Sequence, residues 1–276
     1  MSRVALVTGA NQGLGYALVG HLLTALDVED RVYLTARSVE RGQRAASRLA
    51  DSTGRAPLFH KLDVTDDREV EAALAQASSH SGGLDIVIHN AAARISPDRP
   101  QAEQARQFVE TNNLGTTRLL RRLRGRLKPG ARVVVVASSF GTLRHLPERH
   151  RAAFEGADVS LDSLDRVMTR YVDELERGLA AAAGWPDWIN VPSKVGQVAA
   201  MRVFAREAPA GTLVNAACPG LVDTEASRPW FRDMSAAQSP ERAAVDVVWL
   251  ATLPSGRVSP HGELVQKRRV LPFRAS

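Results

Sequence analysis

The stretch Thr8–Gly15, TGANQGLG, lies between a short apolar run, Val4–Val7, and a segment with helical periodicity that begins near Leu14. Glycines let the backbone turn tightly and approach a pyrophosphate closely. The N-terminus of the following helix then meets the phosphate charge with its free amide groups and its dipole. A glycine-rich loop that follows a strand and opens a helix therefore predicts a dinucleotide-binding fold.

Short β-branched runs alternate with longer helical patterns along the rest of the chain. This alternation is typical of βαβ units around a parallel sheet, and the nearly continuous apolar runs indicate strands covered by helices on both faces. We predict an α/β fold with a single Rossmann-type, doubly wound parallel sheet of about seven strands, in one domain over residues 1–276. The predicted strands are Val4–Val7, Arg31–Thr35, Leu58–Leu62, Ile86–His89, Val133–Ala137, Leu213–Ala217 and Gly262–Val265, and the predicted helices are 14–26, 38–52, 66–80, 101–126, 192–207 and 240–252.

Residues 141–184 interrupt this alternation and form an insertion before the next sheet-packing helix. The insertion contains an acidic, loop-like stretch, EGADVSLDSLD (155–165), followed by an amphipathic helix through VMTRYVDELERGLAAAAG (167–184). Ala183-Gly184 predicts the end of this helix, since glycine favours the left-handed conformation found there. A long insertion beside a site usually forms a pocket wall or lid, so we expect it over the substrate pocket.

The composition indicates an ordinary globular protein: of 276 residues, 44% are hydrophobic and 24% are charged. A single cysteine, Cys218, excludes an internal disulfide and favours a reducing compartment. The N-terminus enters a strand without room for a signal peptide, and no apolar run reaches the roughly 20 residues of a membrane span. We therefore expect a cytoplasmic protein with no membrane partner and no bound metal.

The formal net charge is +6, and its densest segment is RRLRGRLKPG, Arg121–Gly130. Such a segment is either a polyanion-binding patch or a solvated helix end. No aromatic residues interleave with these arginines, as a surface that stacks on bases would need. We expect a solvated helix end and no nucleic-acid partner.

The end of the second strand distinguishes NADPH from NADH. Folds that bind NAD usually place Asp or Glu there, about 20 residues beyond the glycines, to hold the ribose 2′-hydroxyl. Here the strand ends Thr35-Ala36-Arg37. A guanidinium pairs with a 2′-phosphate through two parallel hydrogen bonds, whereas a carboxylate would repel it. The sequence therefore predicts NADPH, with Arg37 on the 2′-phosphate; the alternative is that Arg37 is a solvated surface residue.

Further motifs complete a family pattern over nearly the whole chain. In order they are TGANQGLG, LDV at Leu62–Val64, HNAA at His89–Ala92, TNNLGT at Thr111–Thr116, VVASS at Val135–Ser139, Lys194 and CPGLVDT at Cys218–Thr224. With these motifs the chain resembles the short-chain dehydrogenase/reductase family. It is most similar to the carbonyl-reductase branch, which has a comparable insertion and a GWP like Gly184-Trp185-Pro186. In that branch the insertion covers the surface through which other members oligomerise, so the resemblance implies a monomer.

The resemblance also implies the residues of the cofactor site. The glycine loop would cradle the pyrophosphate, Asp63 and Val64 would border the adenine, and Asn90 would support the central strand and the ribose. The loop after the sixth strand would flank the nicotinamide. Gln12 departs from the branch, which often has a basic residue there, so Arg37 would hold the 2′-phosphate alone. The full set is Gly9, Asn11, Gln12, Gly13, Leu14, Gly15, Arg37, Asp63, Val64, Asn90, Ala91, Ala92, Lys194, Pro219, Gly220, Val222 and Thr224.

The catalytic positions implied by the resemblance are Asn112, Ser139, Asn190 and Lys194, and Asn190 departs from the family. The family reduces carbonyls with a Ser–Tyr–Lys set and a supporting Asn, in which the tyrosine gives its proton to the developing alkoxide. An amide at that position does not titrate in a useful range. Removing a positioned general acid typically costs about 10²–10⁴ in rate.

Asn190 leaves four hypotheses open. The first is hydride transfer to an iminium, or to a carbinolamine that sheds hydroxide, because a C=N⁺ carbon accepts hydride without a proton. The second is ketone or aldehyde reduction with a relocated acid, for which Tyr171 is the best-placed tyrosine. The third is a non-redox NADP-binding cyclase or sensor. In the fourth, Asn190 only caps the helix containing Pro192 in an inactive family member. The other acids considered are Tyr16, Tyr33, His145 and Asp187.

Four aromatic residues lie near the expected edges of the pocket, where they would stack on a polycyclic or cationic ligand or else pack in the core. The acidic residues of the insertion would favour a cationic amine or else form a solvated loop. We predict a monomeric, NADPH-dependent reductase acting on an iminium or carbinolamine of a bulky small molecule, in antibiotic or alkaloid metabolism or detoxification. The aromatic residues are Phe140, Trp185, Trp188 and Trp230, and the acidic ones are Glu155, Asp158, Asp162 and Asp165.

Overall fold

The structure, a computed structural model, describes residues 2–274, and within them the strands form one sheet. All the predicted strands are present, and a further short strand lies near the C-terminus. The strands are β1 (Val4–Val7), β2 (Arg31–Ala36), β3 (Leu58–Lys61), β4 (Leu84–His89), β5 (Leu127–Val136), β6 (Leu213–Ala217), β7 (Leu264–Gln266) and β8 (Arg269–Leu271).

The eight strands of this sheet have the order β3-β2-β1-β4-β5-β6-β7-β8. From β3 to β7 every neighbouring pair is parallel, and only β8 runs antiparallel, on β7. The predicted α/β class with a doubly wound parallel sheet is thus confirmed. The chain order reverses between β1 and β4, which opens a crevice at the carboxyl ends of these strands, where ligands of such sheets bind.

Helices cover both faces of the sheet because the strand side chains alternate between two buried clusters. Val4 and Leu6 belong to one cluster, while Ala5 and Val7 belong to the other. Burial of each larger apolar side chain contributes about 1.5–3 kcal/mol. The helices are α1 (Gly13–Ala25), α2 (Val39–Thr53), α3 (Asp67–Ser79), α4 (Gln101–Val109), α5 (Gly115–Leu123), α6 (Glu148–Arg151), α7 (Leu161–Glu176), α8 (Ala180–Ala183), α9 (Asn190–Glu207) and α10 (Pro240–Ala251).

The helix predicted over 101–126 differs from the structure in two ways. A π-helical turn, Glu110–Leu114, separates α4 from α5. The helix also ends at Leu123, because the next residue is extended and Gly125 takes a φ of +75°. The chain then enters β5 at Leu127 rather than at Val133, and Leu127 pairs with the first residue of β4.

The insertion contains α6, α7 and α8, and it is more helical than predicted. Helix α7 begins inside the stretch expected to be a loop, because Ser160 and Ser163 form a reciprocal capping box. Gly178 separates α7 from α8 with a φ of +71°, and Gly184, with a φ of +77°, ends α8 at the predicted position. Helix α7 packs against α4 and α9. The insertion is therefore part of the core.

The basic segment that ends α5 is joined to acidic residues by salt bridges. Arg121 pairs with Asp162 at 2.7 Å and with Asp165 at 2.5 Å, and Arg274 pairs with Glu155 at 2.6 Å. Three of the four acidic residues singled out in the insertion thus bind arginines. The other arginines of the segment pair likewise: Arg122 with Asp67 and Glu71, Arg124 with Glu207, and Arg126 with Glu71.

None of the helices within residues 2–274 combines the length and the apolar character that crossing a bilayer requires.

Candidate active site

The glycine-rich loop lies at the carboxyl end of β1, in the crevice where the strand order reverses. Gly9 and Gly13 have φ angles of +63° and +54°, a region that favours glycine. Helix α1 begins at Gly13 with no side-chain N-cap, so no side chain of its cap occupies the amides of its first turn. This loop therefore has the room and the donors that a pyrophosphate needs.

The loop after β4 supports the glycine loop from behind. The side-chain amide of Asn90 donates to the carbonyl oxygens of Gly9 at 3.0 Å and of Thr8 at 3.3 Å. The Cα of Ala91 lies so close to Gly9 that a Cβ on Gly9 would be 2.6 Å away. The neighbouring Ala92 is exposed. This geometry agrees with the expected supporting role of Asn90.

The residues expected at the adenine end surround an open edge. Arg37 directly follows β2 and is exposed, and within residues 2–274 its guanidinium forms neither a hydrogen bond nor a salt bridge. Gln12 is also exposed, while Asn11 and Leu14 are half-buried in the loop. Asp63 accepts hydrogen bonds from the Thr65 amide and hydroxyl. An unpaired guanidinium at this edge fits the 2′-phosphate of NADPH.

The loop after β6 lies against the glycine loop at the other end of the crevice. Gly220 has a φ of +77°, and Val222 behind it is buried. The Cγ2 methyl of Thr224 would lie 3.5 Å from a Cβ on Gly13. The structure thus brings the Pro219–Thr224 loop and the glycine loop together, as the cofactor prediction requires.

The π-helical turn presents Asn112, one of the predicted catalytic residues, to the loop after β4. Its Oδ1 accepts from the Ala93 amide at 2.7 Å and its Nδ2 donates to the Ala93 carbonyl at 3.2 Å. The adjacent Asn113 reaches the start of α9, where it donates to the Ser193 carbonyl at 2.9 Å. The two asparagines thus join the β4 loop to the helix that carries Lys194.

Ser139 begins a short 3₁₀ turn, Ser139–Gly141, after β5 and is half-buried. This turn packs on α9, since a Cβ on Gly141 would lie 3.0 Å from the Lys194 carbonyl oxygen. Ser139 also lies against the Cys218 thiol, whose pKa is raised by burial although hydrogen bonds to Gly220 and Ser139 lower it. Ser139, the Lys194 helix and the loop after β6 therefore meet at one place.

Asn190 and Lys194 lie one turn apart on the same face of α9. The N-cap position belongs to Ile189, and α9 has no side-chain cap, so the hypothesis that Asn190 caps this helix is wrong. Burial lowers the pKa of the Lys194 ammonium to about 8, with a smaller opposing effect of Cys218. The ammonium donates to Oε1 of Gln197 at 2.7 Å.

The chain's three tyrosines lie away from this cleft. Tyr171 is fully buried in the core of the insertion, where its hydroxyl has no partner among residues 2–274 and desolvation raises its pKa. The Tyr33 hydroxyl bonds to His80 at 3.1 Å, and the Tyr16 ring lies under the Arg48 guanidinium. A phenol enclosed in the core cannot reach a substrate, so Tyr171 is excluded as the relocated acid.

His145 lies nearer the cleft but is a poor acid. Its Nε2 accepts from the Arg144 guanidinium at 3.3 Å, and burial, followed by the Arg144 charge, lowers the pKa of the imidazole. The ring is therefore neutral near pH 7. Asp187 is exposed, and its backbone carbonyl accepts from the Gln101 side chain at 2.8 Å.

Three of the predicted pocket aromatics form a continuous wall beside Asn190. The rings of Phe140 and Trp188 meet edge to face with centroids 5.1 Å apart, and Trp188 lies 5.9 Å from Trp230. Trp185 is not part of this wall, contrary to the prediction: it is 4% exposed and stacks on His150 at 3.8 Å. Its indole nitrogen donates to Glu174 at 2.6 Å, so this ring anchors the insertion.

Sequence reasoning missed three buried polar residues behind Lys194: His89, Thr116 and Gln197. The Gln197 amide connects Lys194 to the Thr116 hydroxyl, and His89 continues the connection to Thr8. Gln197 follows Lys194 by three residues on a helix, a spacing that places both side chains on one face and could have indicated the contact.

A sequence profile of the family described as short chain dehydrogenase matches residues 3–169. The chain is 36% identical to carbonyl reductase [NADPH] 1 of Sus scrofa, over 99% of this chain and 94% of the pig protein. It is 34% identical to carbonyl reductase [NADPH] 1 of Homo sapiens, over 97% of both chains.

Solved structures agree with these sequence relatives. Salutaridine reductase from Papaver somniferum is similar with a TM-score of 0.82 and 26% identity, over 95% of this chain and 99% of the plant protein. Menthone neomenthol reductase from Mentha piperita, 23% identical, has the same fold with a TM-score of 0.79, over 98% of this chain and 100% of that one. This chain therefore belongs to the short-chain dehydrogenase family, in its carbonyl-reductase-like branch.

Proposed function

We propose that this chain transfers hydride from NADPH to the carbon of an iminium, or of a carbinolamine that becomes one, in a bulky small molecule. One observation carries the proposal: Asn190, an amide, stands one turn before Lys194, where the family pattern expects the phenol that protonates an alkoxide. Since the three tyrosines lie elsewhere, the chemistry has to proceed without a phenolic acid.

The coarser assignment, an NADPH-dependent oxidoreductase of carbonyl-reductase type, follows from the family and from relatives named carbonyl reductase [NADPH] 1. The cleft fits that cofactor, because the glycine loop offers free amides and Arg37 offers an unpaired guanidinium. When bound, NADPH supplies a hydride from its nicotinamide ring.

The residues of the cleft supply what a carbinolamine needs. Its hydroxyl leaves as water if it receives a proton, and the Lys194 ammonium, with its pKa lowered to about 8, holds one near pH 7. The Lys194 Nζ–H bond breaks, the proton joins the departing oxygen, and solvent later restores the ammonium. Asn190 and Ser139 orient that oxygen by hydrogen bonding. The resulting C=N⁺ carbon accepts hydride and becomes a neutral amine without a further proton.

The aromatic wall of Phe140, Trp188 and Trp230 fits such a substrate. A cation over the face of an aromatic ring gains about 0.5–2 kcal/mol, depending on how well it is desolvated. The three rings present both faces and edges to this side of the cleft, and such surfaces pack on fused rings. We therefore expect a cationic, ring-containing amine.

Reduction of ketones or aldehydes is the second candidate function. The names of the pig and human relatives favour it, and Lys194 is the one group in the described cleft that carries a titratable proton near neutral pH. Lys194 would then protonate the alkoxide itself, in place of a phenol.

The insertion favours a monomer. Helix α7 packs on α9, and the Arg206 guanidinium donates to the carbonyl oxygens of Gly156 and Val159 on the insertion. In the branch that the chain resembles, such an insertion covers the surface through which other members oligomerise, so these contacts support a monomer. Sedimentation at several concentrations should give a single species of about the chain's 29.9 kDa mass.

The proposal is tested by following NADPH absorbance with a cyclic iminium and with the ketone of the same ring system. We expect turnover of the iminium and a rate about 10²–10⁴ lower for the ketone. Asn190→Tyr should raise the ketone rate and leave the iminium rate nearly unchanged. Asn190→Phe, which adds the ring without the hydroxyl, is the matched control and should give no gain.

Equal rates with ketone and iminium in the unaltered chain would favour the second candidate. NADPH that binds but is never oxidised, with any acceptor, would instead favour a cyclase or a sensor.

A further inference from the structure

We propose that Gln197 is a positioning residue that, through Thr116 and His89, holds the Lys194 ammonium in one place and ties it to the backbone of the cofactor loop. The part assigned to Lys194 in the reaction rests on the proposed function. The hydrogen bonds that connect Lys194 to Thr8 are present in the structure and do not depend on that reaction.

The hydrogen-bond chain runs from α9 to the loop after β1 through four buried side chains. Lys194 Nζ donates to Gln197 Oε1 at 2.7 Å, and Gln197 Nε2 donates to the Thr116 hydroxyl at 3.2 Å. The His89 imidazole lies 2.9 Å from the Thr116 hydroxyl and 2.9 Å from the Thr8 hydroxyl. Gln197, Thr116, His89 and Thr8 are all buried, so water does not compete for these bonds.

The proton positions at Thr116 follow from counting donors and acceptors. The Thr116 oxygen lies 2.6 Å from the backbone carbonyl of Asn112, which can only accept, so the single hydroxyl proton points there. The oxygen must then accept from both other partners. Gln197 therefore turns its nitrogen towards Thr116 and its oxygen towards Lys194, and His89 donates from Nε2.

The same count holds at the other end of the chain. The Thr8 hydroxyl accepts from the backbone amides of Asn90 and Ala91, each at 3.0 Å. Its one proton must go to Nδ1 of His89, which makes this ring the neutral Nε2–H tautomer. Burial, with the Lys194 charge as a smaller cause, lowers the pKa of His89 to about 3, in agreement with that tautomer.

Each side chain in this hydrogen-bond series thus has a single orientation, in which Gln197 Oε1 accepts from the Lys194 ammonium. Gln197 Oε1 stabilises the protonated lysine, and the amides of Asn90 and Ala91 belong to the loop that lies behind Gly9. The titratable groups near Lys194 are His89 on β4 and Cys218 after β6. The imidazole stays neutral because it is buried, and Cys218 raises the pKa of Lys194 only as a smaller effect, since burial raises the pKa of the thiol itself. Gln197 is therefore the acceptor that keeps this ammonium charged and placed.

The experiment measures the pKa of Lys194 directly, without turnover. The sequence has four lysines, Lys61, Lys128, Lys194 and Lys267, so NMR of lysine labelled with ¹³C at Cε gives few signals, and a Lys194→Arg variant assigns the signal of interest. Gln197→Met keeps the volume but removes the acceptor. We expect it to lower the pKa of Lys194 by about one unit, since a charged hydrogen bond is lost.

A matched control removes a different buried amide. Asn215 is also buried and makes one donor bond, to the Pro260 carbonyl, and one acceptor bond, from the Glu263 amide, outside the cleft. Asn215→Leu should destabilise the fold to a similar degree but leave the pKa of Lys194 unchanged. An equal fall in both variants would mean that general loosening, and not Gln197, sets the value.

Gln197→Glu provides a second arm should Gln197→Met fold poorly. A carboxylate keeps an acceptor towards Lys194, so the pKa of Lys194 should rise above that of the unaltered chain. An unchanged Lys194 pKa in Gln197→Met, or no rise in Gln197→Glu, would overturn the proposal. Neither result depends on a substrate, so the outcome is separate from the test of the iminium reaction.

Discussion

Gly9 faces the backbone of Ala91 so closely that a Cβ atom on Gly9 would lie 2.6 Å from the Ala91 Cα. Gly9 also has a φ of +63°, which side chains rarely adopt. The loops after β1 and β4 are therefore packed backbone against backbone, and their common surface forms the floor of the cofactor crevice.

Replacing Gly9 by alanine should disrupt NADPH binding. The new methyl group has to push the Ala91 loop away, which also disturbs the Thr8 and Asn90 contacts that shape the crevice. We expect the NADPH dissociation constant, measured by fluorescence, to rise at least about tenfold, equivalent to about 1.4 kcal/mol. Gly54→Ala is the control: Gly54 has a φ of +71° but nothing within 4 Å of an added Cβ. A similar loss in Gly54→Ala would mean that backbone strain alone explains the effect.

Arg37→Ala should weaken NADPH selectively. A hydrogen-bonded charge pair contributes about 1.5–3 kcal/mol, so the KM for NADPH should rise by about 10- to 100-fold. The KM for NADH should stay the same, because that cofactor has no 2′-phosphate. Arg41→Ala, which removes an exposed arginine in the first turn of α2, serves as the control. If both cofactors weaken equally in Arg37→Ala, the residue does not read the 2′-phosphate.

His89 should make the fold sensitive to acid. Its pKa is about 3 in the folded chain, against 6.5 for an ordinary histidine, so the unfolded chain binds the extra proton between these values. Stability is therefore lost as the pH falls from 6.5 towards 3, by about 1.4 kcal/mol per pH unit for this group. The free energy of unfolding in urea should show this slope between pH 6 and pH 4.5. His89→Gln should flatten it, whereas His21→Gln, on α1, should not.

Trp188 and Trp185 should separate substrate binding from stability. Trp188→Ala opens the aromatic wall, so we expect the KM for a bulky iminium to rise, with a smaller loss of stability than in Trp185→Ala because Trp188 is only partly buried. Trp185→Ala should instead destabilise the fold by about 3–5 kcal/mol, because it empties a core site and leaves Glu174 without its indole donor. Substrate kinetics and urea titrations of both variants test this. If Trp185→Ala raised the KM and Trp188→Ala destabilised the fold instead, Trp185 would belong to the pocket wall.

The sequence predicted those features that local patterns encode. The glycine loop, the apolar strands and Gly184 at the end of α8 each depend on neighbours within a few residues, and the structure has them. Trp185 and Trp188 are three residues apart and look alike in sequence. Only the packing of α7, which encloses one ring and not the other, distinguishes them.

Long-range polar contacts could not be read in the same way. The hydrogen bonds behind Lys194 join residues 8, 89, 116 and 197, which come from the loop after β1, from β4, from α5 and from α9. Thr8, His89 and Thr116 lie in motifs quoted above, but no local pattern pairs them, because the partner of each is fixed by strand order and helix packing. The short β8 was missed for a related reason: it forms a hairpin through Lys267 and Arg268, which have positive φ angles that sequence rules assign to glycine or asparagine.

The π-helical turn at Glu110–Leu114 lets two adjacent asparagines bind two different segments of the protein. A π turn holds more residues per turn than an α-helix. Asn112 can therefore hydrogen-bond to the Ala93 backbone while its neighbour Asn113 hydrogen-bonds to the Ser193 backbone. Removing one residue here, in evolution or by design, would turn the segment into a regular α-helix and break either the contact of Asn112 with the loop after β4 or that of Asn113 with the helix of Lys194.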